Sequence, residues 1–359
     1  MVGAISGGAE AMPRQPCATA VIVSATNGKA WRRLQLPVYD VVADGRGGWY
    51  TADIRLRHIR RDGSVDKTWH SPVRRRLPVG TSVESGLLTR YAARVYVAGQ
   101  RRVVAVDAGT GHVLWLSPTV SGPTVGGRRP TISALATNRN AVFVAGSFTA
   151  VGGTRRAGLA ALDPSDGRLL RWRAPGLFDP SVNRGRGTSV TNLALSGARL
   201  YFAGNFRRVG PKRAPRPNGV AAVRASDGRL TGFSPSEQVE NPALVAAWGR
   251  LVLLGCGARV SVCDADSGVF DGATGKPVHR FAFDEVLSAG AVGFRGSIAY
   301  LGTGPEGGFG GKFNLIAIDL RTGRFESRWF PTAGYHTYAA SMAVSGDRVF
   351  VAGSFCPGP

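Results

Sequence analysis

Cysteine, histidine and acidic residues are scarce in this chain: four Cys, five His and 23 Asp plus Glu among 359 residues. The cysteines form no C-x-x-C pair and the histidines are scattered, so no metal site is expected. No run approaches 18 apolar residues, so no helix that crosses a membrane is expected. The opening stretch MVGAISGGAEAMPRQPC has neither a basic start nor an apolar centre, and does not read as a secretory signal. No amphipathic helix of useful length can be traced.

What the chain has is glycine (50 residues), proline (21) and 43% apolar residues, without collagen periodicity. That composition is globular. Short apolar strands between Gly-rich turns predict an all-β protein. The formal charge is +22, from 45 Lys plus Arg, with Arg far ahead of Lys. Such a field favours anionic partners. An Arg-favouring base composition gives the same excess with no partner at all, and charge alone does not separate the two.

Two landmarks repeat. One is an apolar strand ending in a small residue plus Gly: Val95–Gly99, Val142–Gly146, Leu200–Gly204, Leu251–Gly255, Ile298–Gly302 and Val349–Gly353, with Trp49–Asp53 as a first copy in which Asp replaces Gly. The other is a turn Gly followed by an aromatic: Gly28/Trp31, Gly63/Trp69, Gly111/Trp115, Gly167/Trp172, Gly228/Phe233, Gly275/Phe281 and Gly323/Trp329. The first turn has no strand before it and the last strand no turn after it. The two orphans complete one unit if the chain ends meet, which removes a long exposed sheet edge. The expectation is a seven-bladed β-propeller of four-stranded antiparallel blades. One domain spans residues 19–356 after an extension 1–18, and its last blade is split between 19–36 and 337–355.

Within each unit the inner strand is small and weakly polar, as in Ile132–Ala136 and Val190–Leu195, suited to a crowded channel. Asp107, Asp163, Asp271 and Asp319 open Asp-x-x-x-Gly turns, where the carboxylate caps turn N–H groups and Gly supplies positive φ. They are read as turn residues, not catalytic acids. The closing aromatics are read as packing between neighbouring units.

At Val104-Ala-Val-Asp107-Ala-Gly-Thr-Gly111-His-Val-Leu-Trp115 the chain resembles the tryptophan motif of PQQ-like repeats. Arg61–Trp69 and Gly146–Gly153 resemble delta-60 repeats. The resemblance covers almost everything from Thr19 to Phe355. It implies a propeller and leaves activity open, because this fold hosts dehydrogenases, scaffolds and uncharacterised secreted proteins alike. Quinoprotein dehydrogenases use eight blades, adjacent cysteines and carboxylate-held calcium. This chain shows seven units and none of those groups at matching positions, so no cofactor is expected.

Cys17 precedes the N-terminal closing strand and Cys356 follows its expected neighbour; a bridge between them would stabilise by roughly 5 kcal/mol on the chain-entropy argument. Cys256 and Cys263 flank one loop, and bridging them is worth roughly 2–3 kcal/mol. Disulfides imply an oxidising compartment, secreted or at the cell surface. The alternative is four unpaired thiols.

Gly302-Thr-Gly304-Pro-Glu-Gly307 matches a dinucleotide fingerprint, but the next segment reads as a strand, so the pyrophosphate has no helix N-terminus. Asp264, Asp266 and Asp271 lack the remaining ligands of a calcium loop. The basic residues carry more information. Connections between outer and inner strands hold Arg74, Arg75, Arg76, Arg128, Arg129, Arg184 and Arg186; those between second and third strands hold Arg101, Arg102, Arg155, Arg156, Arg207, Arg208, Lys212, Arg213 and Arg216. In a meander both connections emerge on one face. Arg46, Arg94, Arg139, Arg199, Arg250, Arg295 and Arg348 lie in turns on the other face. Arg forks suit carboxylate, sulfate or phosphate. No aromatics interleave the basic loops, so nucleic acid is set aside as a partner. The reading is a monomeric, non-catalytic, extracytoplasmic binding or scaffold module. Its Arg-rich face engages a protein or an anionic polymer such as an acidic polysaccharide or cell-wall polymer. The rival is an enzyme at the channel mouth, a quinoprotein-like oxidoreductase or a polysaccharide lyase or hydrolase, using Tyr335, His336 and Tyr338.

Overall fold

The computed structural model describes residues 18–53, 55–71, 87–124, 127, 129–178, 188–210, 219–235, 244–255, 267–281, 291–302, 315–329 and 336–356. Among these residues the architecture is all-β and propeller-like. Seven antiparallel meanders follow one another, with two small sheets between them. The first sheet is Asp40–Ala43, Trp49–Ala52 and Leu56–Ile59; the second is Leu88–Tyr91, Arg94–Ala98, Val103–Asp107 and Val113–Leu116. The third is Ile132–Thr137, Val142–Gly146 and Leu159–Leu162; the fourth is Ser189–Ser196, Arg199–Asn205 and Val220–Arg224. Leu244–Trp248, Leu251–Gly255, Gly268–Asp271 and Pro277–Arg280 make the fifth, and Val292–Arg295, Ile298–Gly302, Leu315–Asp319 and Arg324–Phe325 the sixth.

The seventh sheet joins the two ends of the described chain. Its order is His336–Ser345, Arg348–Cys356, Ala18–Ser24, Ala30–Leu34. Val21 faces Val351, Ile22 faces Phe350 and Val23 faces Val349 across the antiparallel junction. The first, third and fourth sheets have three full strands rather than four. Their outer segments make only single bridges, Ile59 with Val65, Leu162 with Leu169 and Val223 with Leu230.

Strand composition explains the stacking. Val95 and Val97 pack toward the first sheet, whereas Tyr96 and Ala98 pack toward the third. Both faces of the strand are buried, so it reads as a continuous apolar run instead of an alternating one. Seven apolar clusters follow from this, each filling the gap between two consecutive sheets, including one between the seventh and the first. Each fully buried Val, Leu or Phe in these gaps contributes roughly 1.5–3 kcal/mol.

The strand-ending glycines have a steric cause. Gly146 pairs with Ile132 where the register shifts, and a Cβ there would come within 2.0 Å of Thr131 O. Gly204 repeats this against Ser189 O at 2.1 Å. Asp53, the exception, is buried and does different work: its Oδ1 accepts from Arg55 N at 2.7 Å and from Arg57 Nη1 at 2.8 Å.

First strands of several sheets surround a central cavity of about 320 Å³, lined by Val41, Leu193, Leu244, Phe294 and Met342 with Asp40, Asn192 and Ser341. Phe294 and Met342 are larger than the small, weakly polar lining expected from sequence.

Candidate anion-binding face

In each meander the turns after the first and third strands lie at one rim, and the connections after the second and fourth at the other. At the turn rim the Asp carboxylates cap their own turns. Asp107 Oδ1 accepts from Gly109 N at 3.0 Å and Thr110 N at 2.8 Å; Asp163 Oδ1 accepts from Ser165 N at 2.7 Å; Asp319 Oδ1 accepts from Arg321 N at 2.9 Å. The Thr110 N–H and hydroxyl hold the Asp107 carboxyl below its usual range. Burial raises Asp271, but Arg250, Thr274 and the turn N–H groups outweigh it and bring it to about 2. These carboxylates are ionised turn caps, as their sequence context implied.

Several closing aromatics latch their sheet to the next turn. Tyr50 Oη and Trp69 Nε1 both donate to Ala108 O, at 2.6 and 2.9 Å. Trp115 Nε1 donates to Pro164 O at 3.1 Å; Tyr300 Oη donates to Ala25 O at 2.6 Å and Trp329 Nε1 to Ser24 O at 2.9 Å. The turn glycine presses on the same aromatic: at Gly167, φ +76°, a Cβ would sit 2.4 Å from the Trp115 ring. Trp31 departs from the pattern. It is 45% exposed, with the Arg348 guanidinium 3.7 Å from its ring centroid.

Two polar constellations escaped the sequence reading. Asp40, 5% exposed, accepts from Ser341 Oγ at 2.5 Å, Val41 N at 2.9 Å and Leu88 N at 2.7 Å, and so ties the seventh, first and second sheets. His58 lies between two carboxylates, Nδ1 at 3.0 Å from Asp66 Oδ2 and Nε2 at 3.1 Å from Asp44 Oδ2, with its ring stacked on Tyr50. The bond to Asp44, working against burial and helped by Asp66, holds the imidazole pKa above its usual value. Burial opposes ionisation of Asp44, but His58 and the N–H groups of Arg46 and Gly48 outweigh it and keep its carboxyl low. The Thr68 hydroxyl, His58 and Arg60 keep Asp66 low as well. One signal could have pointed to the group: His58, Asp44 and Asp66 fall within one sheet and its turns.

At the loop rim, the two small sheets bring several of the expected cations together. Val120–Ser121 pairs with Ala150–Val151, which pairs with Thr154–Arg155. Arg101 Nε donates to Val120 O at 3.1 Å and Arg102 Nε to Thr119 Oγ1 at 2.7 Å, so Arg101, Arg102 and Arg155 share this platform. Arg208–Val209 pairs with Leu177–Phe178 beside it, carrying Arg207 and Arg208. Arg101, Arg102, Arg129, Arg155 and Arg207 are exposed. Among the described residues none of these five forms an ion pair. At the turn rim Arg168 pairs with Asp166, Arg229 with Asp227, Arg250 with Asp271 and Arg321 with Asp319, while the exposed Arg46, Arg139 and Arg295 of that rim form no ion pair among the described residues.

One candidate differs from the others in exposure. Arg156 is 6% exposed because its side chain folds back on its own sheet: Nη1 donates to Arg155 O at 2.9 Å and Nη2 to Leu170 O at 3.0 Å. Arg74, Arg75, Arg76, Arg128, Arg184, Arg186, Lys212, Arg213 and Arg216 lie outside the described residues, as do Cys17, Cys256, Cys263, Asp264, Asp266 and Tyr335. Cys356, His336 and Tyr338 lie on described strands, but their side chains are outside the description. Downstream of Gly302 the next described element is the strand Leu315–Asp319, paired to Ile298–Gly302, in keeping with rejection of the dinucleotide motif.

Repeated meanders packed face to face around a common centre define a propeller-like repeat protein. Residues 67–218, less than half of the chain, match the PQQ-like family model described as outer membrane protein assembly factor BamB. Over those residues the chain is similar to PQQ-like β-propeller repeat proteins, while the delta-60 resemblance finds no counterpart in the family match. No curated protein is significantly similar to it. Among solved structures, it is similar to the computationally designed Ika8 protein, with TM-score 0.57 and 12% identity over 96% of this chain and 97% of that one. A chain of the Mitotic Checkpoint Complex gives TM-score 0.56 and 14% identity over 94% of each. At such identities the likeness concerns the fold alone.

Proposed function

We infer that the protein is a binding or scaffold module: a seven-bladed propeller over residues 19–356, split in its last blade, whose loop rim engages an anionic partner. One observation carries the reading. The exposed loop-rim residues Arg101, Arg102, Arg155 and Arg207 all lack a carboxylate partner among the described residues, whereas the opposite rim is mixed: Arg168, Arg229, Arg250 and Arg321 each have one and the exposed Arg46, Arg139 and Arg295 have none. Unneutralised guanidinium forks are free to take carboxylate, sulfate or phosphate groups at no cost in broken internal pairs. The described large apolar side chains that are exposed, Trp31, Tyr91, Leu114, Leu230, Val278 and Phe325, lie outside these loops. Recognition at the rim is therefore electrostatic and salt-sensitive, without an aromatic anchor.

The partner is a protein with an acidic surface or an anionic polymer. The family description as an assembly factor supports the scaffold role, and its mention of the outer membrane supports an extracytoplasmic setting. In such a setting Cys17–Cys356 and Cys256–Cys263 are the pairings proposed, and the module acts as a monomer. The test is retention of the full chain on immobilised heparin. Replacing Arg101, Arg102, Arg155 and Arg207 by Gln lowers the eluting salt concentration more than replacing Arg168, Arg229, Arg250 and Arg321. Equal loss from the two sets overturns the face assignment.

A further inference from the structure

Arg156 is the one guanidinium in the described chain that is both buried and without an acidic partner while keeping a donor unused. It is 6% exposed. Two of its five N–H groups reach backbone carbonyls, Arg155 O and Leu170 O. Its Nε is buried with no acceptor among the described residues. The backbone is fixed as well, since Arg156 N donates to Thr149 O at 2.8 Å. Taking a full charge out of water costs several kcal/mol unless an opposite charge and hydrogen bonds compensate. Two carbonyl acceptors supply part of that compensation, and among the described residues no carboxylate supplies the rest.

The surroundings add positive charge instead of removing it. Arg155, Arg171 and Arg173 are exposed, and none forms an ion pair among the described residues. Burial, together with repulsion from Arg173, pushes the Arg156 pKa below its usual value. The bond from Arg156 to Leu170 O brings the second-to-third connection against the outer segment 170–173 of the same sheet, where Arg173 is close enough to repel it. A buried guanidinium with an orphaned N–H and a second guanidinium near it is an arrangement that an anion would complete.

We propose that Arg156, with Arg173 beside it, anchors an oxyanion site on the third sheet that takes a phosphate or carboxylate group of the anionic partner. The inference rests on the loop-rim reading and gives that partner a defined anchoring point. Arg155 and Arg171 extend the positive field toward solvent and guide the group in. The buried guanidinium supplies the Nε donor, which an oxyanion accepts without displacing either backbone bond. Chemistry of this kind does not discriminate phosphate from carboxylate by itself, so the experiment carries both.

The full chain is unfolded thermally in sodium chloride, sodium phosphate and sodium acetate at matched ionic strength, over a concentration series. The parent protein is stabilised saturably, by several degrees, in phosphate or in acetate relative to chloride, and the more effective salt names the group. Arg156→Met removes the uncompensated charge: its midpoint in chloride equals or exceeds the parent's, and the saturable anion effect is lost. Arg173→Gln keeps the effect but moves half-saturation to several-fold higher anion concentration. The site is overturned if Arg156→Met unfolds earlier than the parent in chloride and both respond to the anions identically, the result of a purely structural arginine. Heparin retention separates the two inferences. Retention through Arg101, Arg102 and Arg207 with no anion-specific stabilisation removes this site alone; anion-specific stabilisation without loop-rim retention removes the rim reading alone.

Discussion

Ser341 Oγ donates a 2.5 Å hydrogen bond to Asp40 Oδ1 across 301 residues of sequence. The same carboxylate accepts from Leu88 N and Val41 N, so one buried side chain fastens the sheet that joins the chain ends to the two sheets that follow it. Asp40→Ala strands the buried Leu88 N–H and the Ser341 hydroxyl hydrogen, while Val41 N keeps Ser341 Oγ at 3.2 Å, and costs about 2 kcal/mol or more. Ser341→Ala removes one of these bonds and costs about 1 kcal/mol. Urea unfolding of both variants measures the difference. A cost below about 1 kcal/mol for Asp40→Ala shows that the carboxylate is not a structural tie.

The aromatic latches differ in one respect that mutation can isolate. Trp115 and Trp329 donate their indole N–H to the next sheet's turn, whereas the buried Trp172 Nε1 has no acceptor among the described residues. Trp→Phe loses similar volume at each position. Trp115→Phe and Trp329→Phe therefore cost about 1 kcal/mol more than Trp172→Phe, the net worth of a hydrogen bond. Equal costs at the three positions, measured by denaturant unfolding, remove the hydrogen bond from the account.

Turn glycines separate backbone strain from crowding. Gly197 and Gly167 both have positive φ, +56° and +76°, but a Cβ at Gly197 meets nothing within 4 Å while one at Gly167 strikes the Trp115 ring at 2.4 Å. Gly197→Ala costs about 1 kcal/mol of backbone strain. Gly167→Ala pays that and a displaced indole, at least about 2 kcal/mol more. Thermal midpoints in the same order test it.

The His58 cluster makes stability depend on pH with a definite sign. The imidazole pKa is raised by Asp44 and Asp66, so its contribution is complete below 6.5, the unfolded value, and is lost as pH rises through the folded value. The carboxyls of Asp44 and Asp66 are lowered, so theirs is complete above 3.8 and is lost as pH falls through the folded values. The cluster is fully stabilising between about pH 4 and 6.5. His58→Gln flattens the decline on the alkaline side of that window relative to the parent. An unchanged pH profile in the variant contradicts the assignment.

The repeat phase was legible because sterically constrained glycines recur along the chain: a strand-ending Gly opposite a register shift, as at Gly146, and a turn Gly beneath an aromatic, as at Gly167. The pairing of Val21 with Val351 followed from those marks alone, since an unpaired half-sheet leaves its edge open. Arg156 was not legible. Its neighbour Arg155 has the same chemistry and points to solvent, and only the fold-back onto Leu170 O distinguishes the two. Asp40 was hidden because its partners Ser341 and Leu88 sit on other sheets; the partners of His58 lie in the turns of its own sheet, and only their common unit hinted at the group. The pairing state of each arginine was also beyond sequence, because turn-rim Asp residues reach only the guanidiniums that the meander delivers to the same rim.

Protection of individual arginines from glyoxal modification, read by mass spectrometry with and without heparin at low salt, addresses the functional claim most directly. The account predicts protection of Arg101, Arg102, Arg155 and Arg207, with Arg168, Arg229, Arg250 and Arg321 reacting as before. Uniform protection of both sets, or protection confined to the second, contradicts it.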